Sequence, residues 1–183
     1  MSTVFFLRKN KKLYDMEFIQ CKLSDIDEIF GFYDIAVAFQ KKKFNKHWQP
    51  FDIEMIRQEI KEGRHWKIIV DRRTACVFVV AYSDPYIWIE DVEQPAIYLH
   101  RIVSHPDFRG SNFVNAITDW AIKFAKEKCK KFVRLDTWAD NEKLGQHYLN
   151  AGFKLIGFVT PGNSGNLPKH YDAISLGLFE IEV

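Results

Sequence analysis

The passage from Ala96 to Phe124 constrains this chain more than any other. It opens on Ala-Ile-Tyr-Leu-His-Arg-Ile-Val, residues 96 to 103, a run rich in β-branched and aromatic residues that reads as a strand. It closes on Phe113, Ile117, Trp120 and Phe124, whose steps of four, three and four line one face of a helix of about four turns. Between them stand Arg109-Gly110-Ser111-Asn112. A helix start presents unsatisfied amides and about half a positive charge, which suits an anion. Gly110 has no Cβ to keep a bound group away, Ser111 offers a hydroxyl, and Arg109 adds a charge-assisted donor. The same residues also serve a plain helix start, with Ser111 or Asn112 as cap and Arg109 a solvated charge.

The rest of the sequence builds a fold around that passage. At 183 residues the expectation is one domain, 1–183, with residues 1–15 as an N-terminal extension. Met16–Lys22 reads as a first strand. Ser24 then offers a hydroxyl cap for a helix carrying Ile26, Ile29, Phe30, Tyr33 and Val37 on its apolar face and ending in Lys41-Lys42-Lys43. Asp52 caps a short second helix that buries Ile53, Ile56 and Ile60 and stops at Gly63. Trp66–Val70 and Thr74–Tyr82 form a hairpin around Asp71-Arg72-Arg73, and Ser83–Pro95 is a looser segment. Strand Phe132–Thr137, helix Asn141–Ala151 with Gly152 as its stop, and strands Phe153–Val159 and Asp172–Ile181 complete the order βααβββαβαββ. Such an order predicts an α/β fold with a mixed, part parallel and part antiparallel sheet.

Charge and composition narrow the function. A formal charge of +2 lacks the basic excess of a nucleic-acid binder. Cys21, Cys76 and Cys129 are three in number, far apart and without metal-ligand spacing, which predicts a reduced, cytoplasmic protein with no metal. Val4–Leu7 is too short to span a bilayer and is followed by Arg8-Lys9, the reverse of a signal peptide's charge order, so no membrane association is expected. There is no GxGxxG fingerprint and no serine-nucleophile pattern.

The strings YLHRIVSHPDFRG and RLDTWADNEKLGQHYLNAGFK together resemble the GNAT N-acetyltransferase superfamily, most sharply from Ile97 to Phe153. That resemblance implies a GNAT-like acyl-CoA N-acyltransferase fold and acetyl transfer from acetyl-CoA to an amine, without a metal. It implies that Ile102, Val103, Arg109, Gly110, Ser111, Asn112, Phe113 and Val114 hold the cofactor, the turn amides cradling its pyrophosphate and the Val103 amide serving the developing oxyanion. Asn141 is an expected cofactor contact and equally a helix cap. Asn112 and Val114 depart from the family's pattern of small residues; Asn tolerates the left-handed backbone a tight turn needs, whereas Val114 has to point into the core.

In that family the tyrosine of the pattern Tyr148-Leu149-Asn150-Ala151-Gly152-Phe153 is commonly the general acid that protonates the departing thiolate; the other reading of Tyr148 is a core tyrosine on an apolar helix face. A phenol near pKa ~10 and a thiol near ~8.5 are close enough for this. A glutamate often serves as base on the strand before the glycine turn; here Glu93 lies upstream and His100 lies within the strand, making His100 a candidate base and equally a strand histidine hydrogen-bonded to a neighbour. Strict alternation would pair Tyr98 with His100 on one face and Leu99 with Arg101 on the other. His105 and His147 are expected on the surface, and Asp136 in a structural role bridging loop amides. Phe44, His47, Trp48, Trp88, Trp138 and Tyr171 are candidates for an acceptor pocket, with Trp48, Trp88 and Trp138 foremost, and most of them serve equally as core residues. The acceptor is a small-molecule or peptide amine, and dimers through the terminal strands are common in the family. The other reading is a CoA-binding sensor without turnover, suggested by Asn112, Val114 and the missing strand glutamate.

Overall fold

The computed structural model describes residues 3–9, 12–88, 93–161 and 174–183, with side chains from residue 15 onward. Its elements run β1 (Thr3–Lys9), β2 (Lys12–Gln20), α1 (Ile26–Lys43), α2 (Ile53–Lys61), β3 (His65–Val70), β4 (Arg73–Ala81), β5 (Ala96–Ser104), α3 (Phe113–Glu127), β6 (Phe132–Trp138), α4 (Glu142–Asn150), β7 (Lys154–Val159) and β8 (Leu176–Glu182). They form two compact units, Met1–Val80 with Arg101–Phe113, and Ala81–His100 with Val114–Val183.

In the first unit β1, β2, β3 and β4 follow one another as antiparallel neighbours. Asp71 and Arg72 turn the β3–β4 hairpin with φ of 49° and 61°. Two positive values in a row match the right-handed twist of the strands, at a cost that glycine or asparagine would reduce. Above these strands α1 and α2 bury Ile29, Phe32, Tyr33, Ile56 and Ile60 against Cys21, Val77 and Val103. Each such aliphatic or aromatic side chain contributes about 1.5–3 kcal/mol through removal from water.

Several expectations require correction here. The first strand is not Met16–Lys22: the N-terminal extension holds a strand of its own, β1, which pairs with β2 from Thr3↔Phe18 to Lys9↔Lys12. An unbroken apolar run such as Val4–Leu7 has no alternation to reveal a strand. Ser24 does not cap α1. It lies in a 3-10 turn, Leu23–Asp25, where the Lys22 amide donates to Asp25 Oδ2 at 2.8 Å. Asp52 does cap α2, accepting from the Glu54 amide at 2.7 Å, but Ile53 is 45% exposed. Glu59, 5% exposed, takes the buried position instead, because its charge is fully partnered.

In the second unit β5 and β6 are parallel, from Ala96↔Phe132 to Leu99↔Leu135, while β8 pairs antiparallel with both β6 and β7. This confirms a mixed sheet. Val133, Leu135, Leu176 and Phe179 are buried, and the outermost strand β7 exposes Leu155, Ile156 and Phe158. Helix α3 buries Ile117, Trp120, Ala121 and Ala125, with the Trp120 and Phe124 rings stacked 4.8 Å apart. Asn141 caps α4 by accepting from the Leu144 amide at 3.4 Å, and Gly152 ends it at φ 98°.

Candidate active site

The turn before α3 begins with a 3-10 segment, Pro106–Phe108, capped by His105, whose Nδ1 accepts from the Asp107 amide at 3.2 Å. His105 is thereby a loop residue, its ring edge-on to Phe32 and Phe108. Gly110 follows at φ 77°, with open space where a Cβ would stand. Asn112 takes φ 53°, so it supplies the left-handed residue that a small side chain was expected to supply. Ser111 sits between them, 3% exposed, its amide donating to the Phe108 carbonyl at 3.1 Å. Its Oγ finds no hydrogen-bond partner among the described residues. A buried hydroxyl left unmatched costs about 1–3 kcal/mol, so a group that accepts from it stabilises the turn.

The surroundings favour an anion there. The first turn of α3 holds no acidic residue. Arg109 is exposed, its guanidinium 5.4 Å from the centre of the Phe39 ring. Val114 is half-buried rather than enclosed in the core, and its carbonyl accepts from the Thr118 hydroxyl at 2.8 Å. Ile102 is half-buried and Val103 buried. The Val103 amide and the Ser104 hydroxyl both lie against the thiol of Cys76, which burial pushes up to about 12. A pyrophosphate fits the Gly110–Asn112 turn by the chemistry of its donors.

Strand β5 departs from regular alternation. Arg101 adopts φ 51°, which breaks the alternation expected of Tyr98, Leu99, His100 and Arg101. A non-glycine residue held there costs on the order of 1–3 kcal/mol, and neighbouring groups have to fix it. Glu59 does so, accepting from Arg101 Nη2 at 2.6 and 2.7 Å and facing His65 Nε2 at 2.8 Å. The Arg101 guanidinium also lies 5.8 Å from the Tyr33 ring centre and 5.2 Å from that of Phe51. Burial works against the Glu59 charge, but His65 and Arg101 outweigh it and hold the carboxyl at about 2. Burial keeps His65 below the ordinary histidine value, so the ring is neutral at pH 7 and its Nε2–H donates to the carboxylate.

His100 lies in the second unit between two carboxylates. Its Nε2 is 3.4 Å from Asp84 Oδ2 and its Nδ1 3.9 Å from Asp136 Oδ1. Asp136 Oδ1 has no hydrogen-bond partner among the described residues. Burial raises its carboxyl to about 7. Asp84 had no sequence signal beyond a turn-forming Asp-Pro pair; its carbonyl accepts from the Trp88 amide at 2.9 Å.

Tyr148 is buried in α4 against Phe153 and Phe179, at ring distances of 6.0 and 5.5 Å. Trp88 lies 6.0 Å from Tyr98, and the Arg134 guanidinium covers it at 5.0 Å. Trp138 is buried at the end of β6. Trp48, in the first unit, is half-buried and packs edge-on against Tyr33 and Phe51 at 6.1 and 5.7 Å. Phe44 and His47 are likewise half-buried, and the His47 Nδ1 lies 2.8 Å from the Trp48 carbonyl. Glu93 and His147 are exposed, and Tyr171 lies outside the described residues.

Antiparallel strands with two helices, then strand, glycine turn, helix and a parallel strand, constitute the fold of the GNAT acetyltransferases. The particular likenesses agree. A GNAT-family acetyltransferase from Listeria monocytogenes superposes with a TM-score of 0.74 at 21% identity, covering 98% of this chain and 100% of that one. YncA from Salmonella typhimurium, a putative acetyltransferase solved with acetyl-CoA, gives 0.66 at 12% identity over 91% and 93% of the two chains. YesJ of Bacillus subtilis, an uncharacterized N-acetyltransferase, is 24% identical over 146 residues, 75% of this chain and 81% of its own. No family model matches the chain. Among the described residues no helix is long and apolar enough to cross a membrane.

Proposed function

We propose that this protein is an N-acetyltransferase that moves an acetyl group from acetyl-CoA directly to a primary amine. The observation that carries the reading is the Ser111 hydroxyl, buried and unmatched inside a Gly110–Asn112 turn that opens a fifteen-residue helix. Arg109, Gly110, Ser111, Asn112 and Phe113 hold the pyrophosphate, with Ile102, Val103, Val114 and Asn141 along the rest of the cofactor. When bound, acetyl-CoA supplies a thioester carbon open to attack by nitrogen.

The chain's own residues then manage protons. An alkylamine with pKa near ~10 is protonated at pH 7 and cannot attack, so His100 removes a proton from it. The new N–C bond forms as the C–S bond breaks, Tyr148 gives its phenolic proton to the sulfur, and the acetylated nitrogen gives its second proton to water; exchange with water then restores His100 and Tyr148, with one proton released per turnover. Trp48, Trp88 and Trp138 are the aromatic residues proposed to shape the acceptor site.

The test is acetyl-CoA titration by calorimetry, followed by thiol release with a panel of primary amines. Binding with thiol release supports the transferase. Absence of binding at millimolar acetyl-CoA rejects it. Binding without release from any amine favours the CoA-binding sensor, the reading that the departures at Asn112 and Val114 support.

A further inference from the structure

We propose that the groove between α1 and the β3–β4 hairpin is a binding site for a phosphomonoester with a small apolar body, separate from the pyrophosphate turn. The groove has a volume of about 690 Å³, within the roughly 300–1,000 Å³ of small-molecule sites, and none of Gly110, Ser111 and Asn112 lines it. It belongs wholly to the first unit and does not depend on the transferase reading.

Two of its lining residues work against local stability. Gly31 stands inside α1, a helix of 18 residues, although glycine is the poorest helix former after proline. Close packing does not demand glycine there, since a Cβ at Gly31 would meet nothing within 4 Å. Arg72 holds φ 61° in the hairpin turn, a conformation that glycine or asparagine adopts with less strain. Both departures border the same open space: Gly31 leaves it clear, and Arg72 supplies an exposed guanidinium to it. Local rules broken together in one place mark a functional site.

The walls follow from helix and strand periodicity. Glu28, Gly31, Phe32 and Ile35 recur at helical spacing and share one face of α1. Lys67 and Ile69 alternate along β3, and the irregularity after Ile68 sets Ile69 opposite Thr74 of β4. Phe32, Ile35 and Ile69 thus offer apolar surface to a ligand whose charged end meets the hairpin.

Charge at the hairpin end selects an anion. Lys67 lies 3.0 Å from Asp25 and 3.5 Å from Glu28, so its charge is already met. Arg73 pairs with Asp107 at 2.5 Å, although both side chains are more than half exposed. Arg72 has no carboxylate partner among the described residues. Two neighbouring guanidinium groups and the Thr74 hydroxyl match the three terminal oxygens of a phosphomonoester.

The experiment is calorimetry on the full chain with phenyl phosphate, inorganic phosphate and benzylamine as probes. Phenyl phosphate is expected to bind saturably, about tenfold or more tighter than inorganic phosphate because its ring leaves water, and benzylamine to bind more weakly than either. Arg72→Gly relieves strain while removing the guanidinium, so phenyl phosphate affinity falls about tenfold or more with no drop in the urea midpoint. Gly31→Leu fills the groove from a position with room for it. Phenyl phosphate binding is lost there while the urea midpoint holds or rises and acetyl-CoA affinity stays unchanged.

No saturable binding of phenyl phosphate to the wild type overturns the proposal. Undiminished binding in Arg72→Gly or Gly31→Leu, displacement of phenyl phosphate by acetyl-CoA, or a preference for benzylamine overturns it as well. Phenyl phosphate binding that both variants lose, in a protein that takes up no acetyl-CoA, keeps the groove and rejects the transferase.

Discussion

Arg101 and Glu59 form a two-pronged contact, with Nη2 donating to both carboxylate oxygens at 2.6 and 2.7 Å. This contact ties α2 to the one residue of β5 with a left-handed backbone. It sits within a buried cluster that includes neutral His65. Removing the carboxylate would strand a guanidinium and a ring N–H together. Glu59→Ala is therefore expected to destabilise the fold by about 3–5 kcal/mol, read as a lower urea midpoint.

The same cluster gives stability a pH dependence of definite sign. Glu59 is depressed from 4.5 to about 2, so its contribution is complete above pH 4.5 and is lost as pH falls toward 2. His65 is depressed below 6.5, so protonation of the unfolded ring begins to favour unfolding below that pH. Urea midpoints measured from pH 8 to 3 are expected to fall steadily below about 6.5, and Glu59→Gln is expected to flatten the part below 4.5.

Ser111→Ala separates a ligand-binding hydroxyl from a structural one. The hydroxyl has no partner among the described residues, so its removal is expected to leave melting temperature unchanged or slightly raised. Acetyl-CoA affinity is expected to fall by about 10–150-fold, the loss of one hydrogen bond to a charged group. Differential scanning fluorimetry and calorimetry on the same preparations check both.

Tyr148→Phe removes a phenolic oxygen and keeps the ring that packs on Phe153 and Phe179. Loss of a positioned general acid is expected to lower kcat about 100-fold with the KM for acetyl-CoA unchanged. Full turnover in this variant would take the role away from Tyr148.

Arg72 holds φ 61° in the β3–β4 turn and is exposed. Glycine relieves the left-handed strain there while adding freedom to the unfolded chain. Arg72→Gly is expected to stabilise by about 0.5–1 kcal/mol, seen as a higher urea midpoint with the same slope.

The amino-acid sequence by itself determined most of the elements and the glycine turn before α3. Helical spacing at Phe113, Ile117 and Trp120, the Asp52 cap, and the glycines at 63, 110 and 152 act over a few residues, so local chemistry decides them. Local signals also explain the errors: Val4–Leu7 lacks alternation, and Ser24 offers a cap that the Asp25 carboxylate displaces.

Only the tertiary structure decided how Arg101 leaves regular alternation and which groups surround His100. Glu59 reaches Arg101 across 42 positions of sequence, and Asp84 and Asp136 come to His100 from a separate turn and a separate strand. Such pairings depend on strand register and on buried charge, energies that arise when distant segments leave water together. No spacing rule along the chain encodes them, and so a carboxylate that reads as a turn former comes to lie beside a histidine of β5.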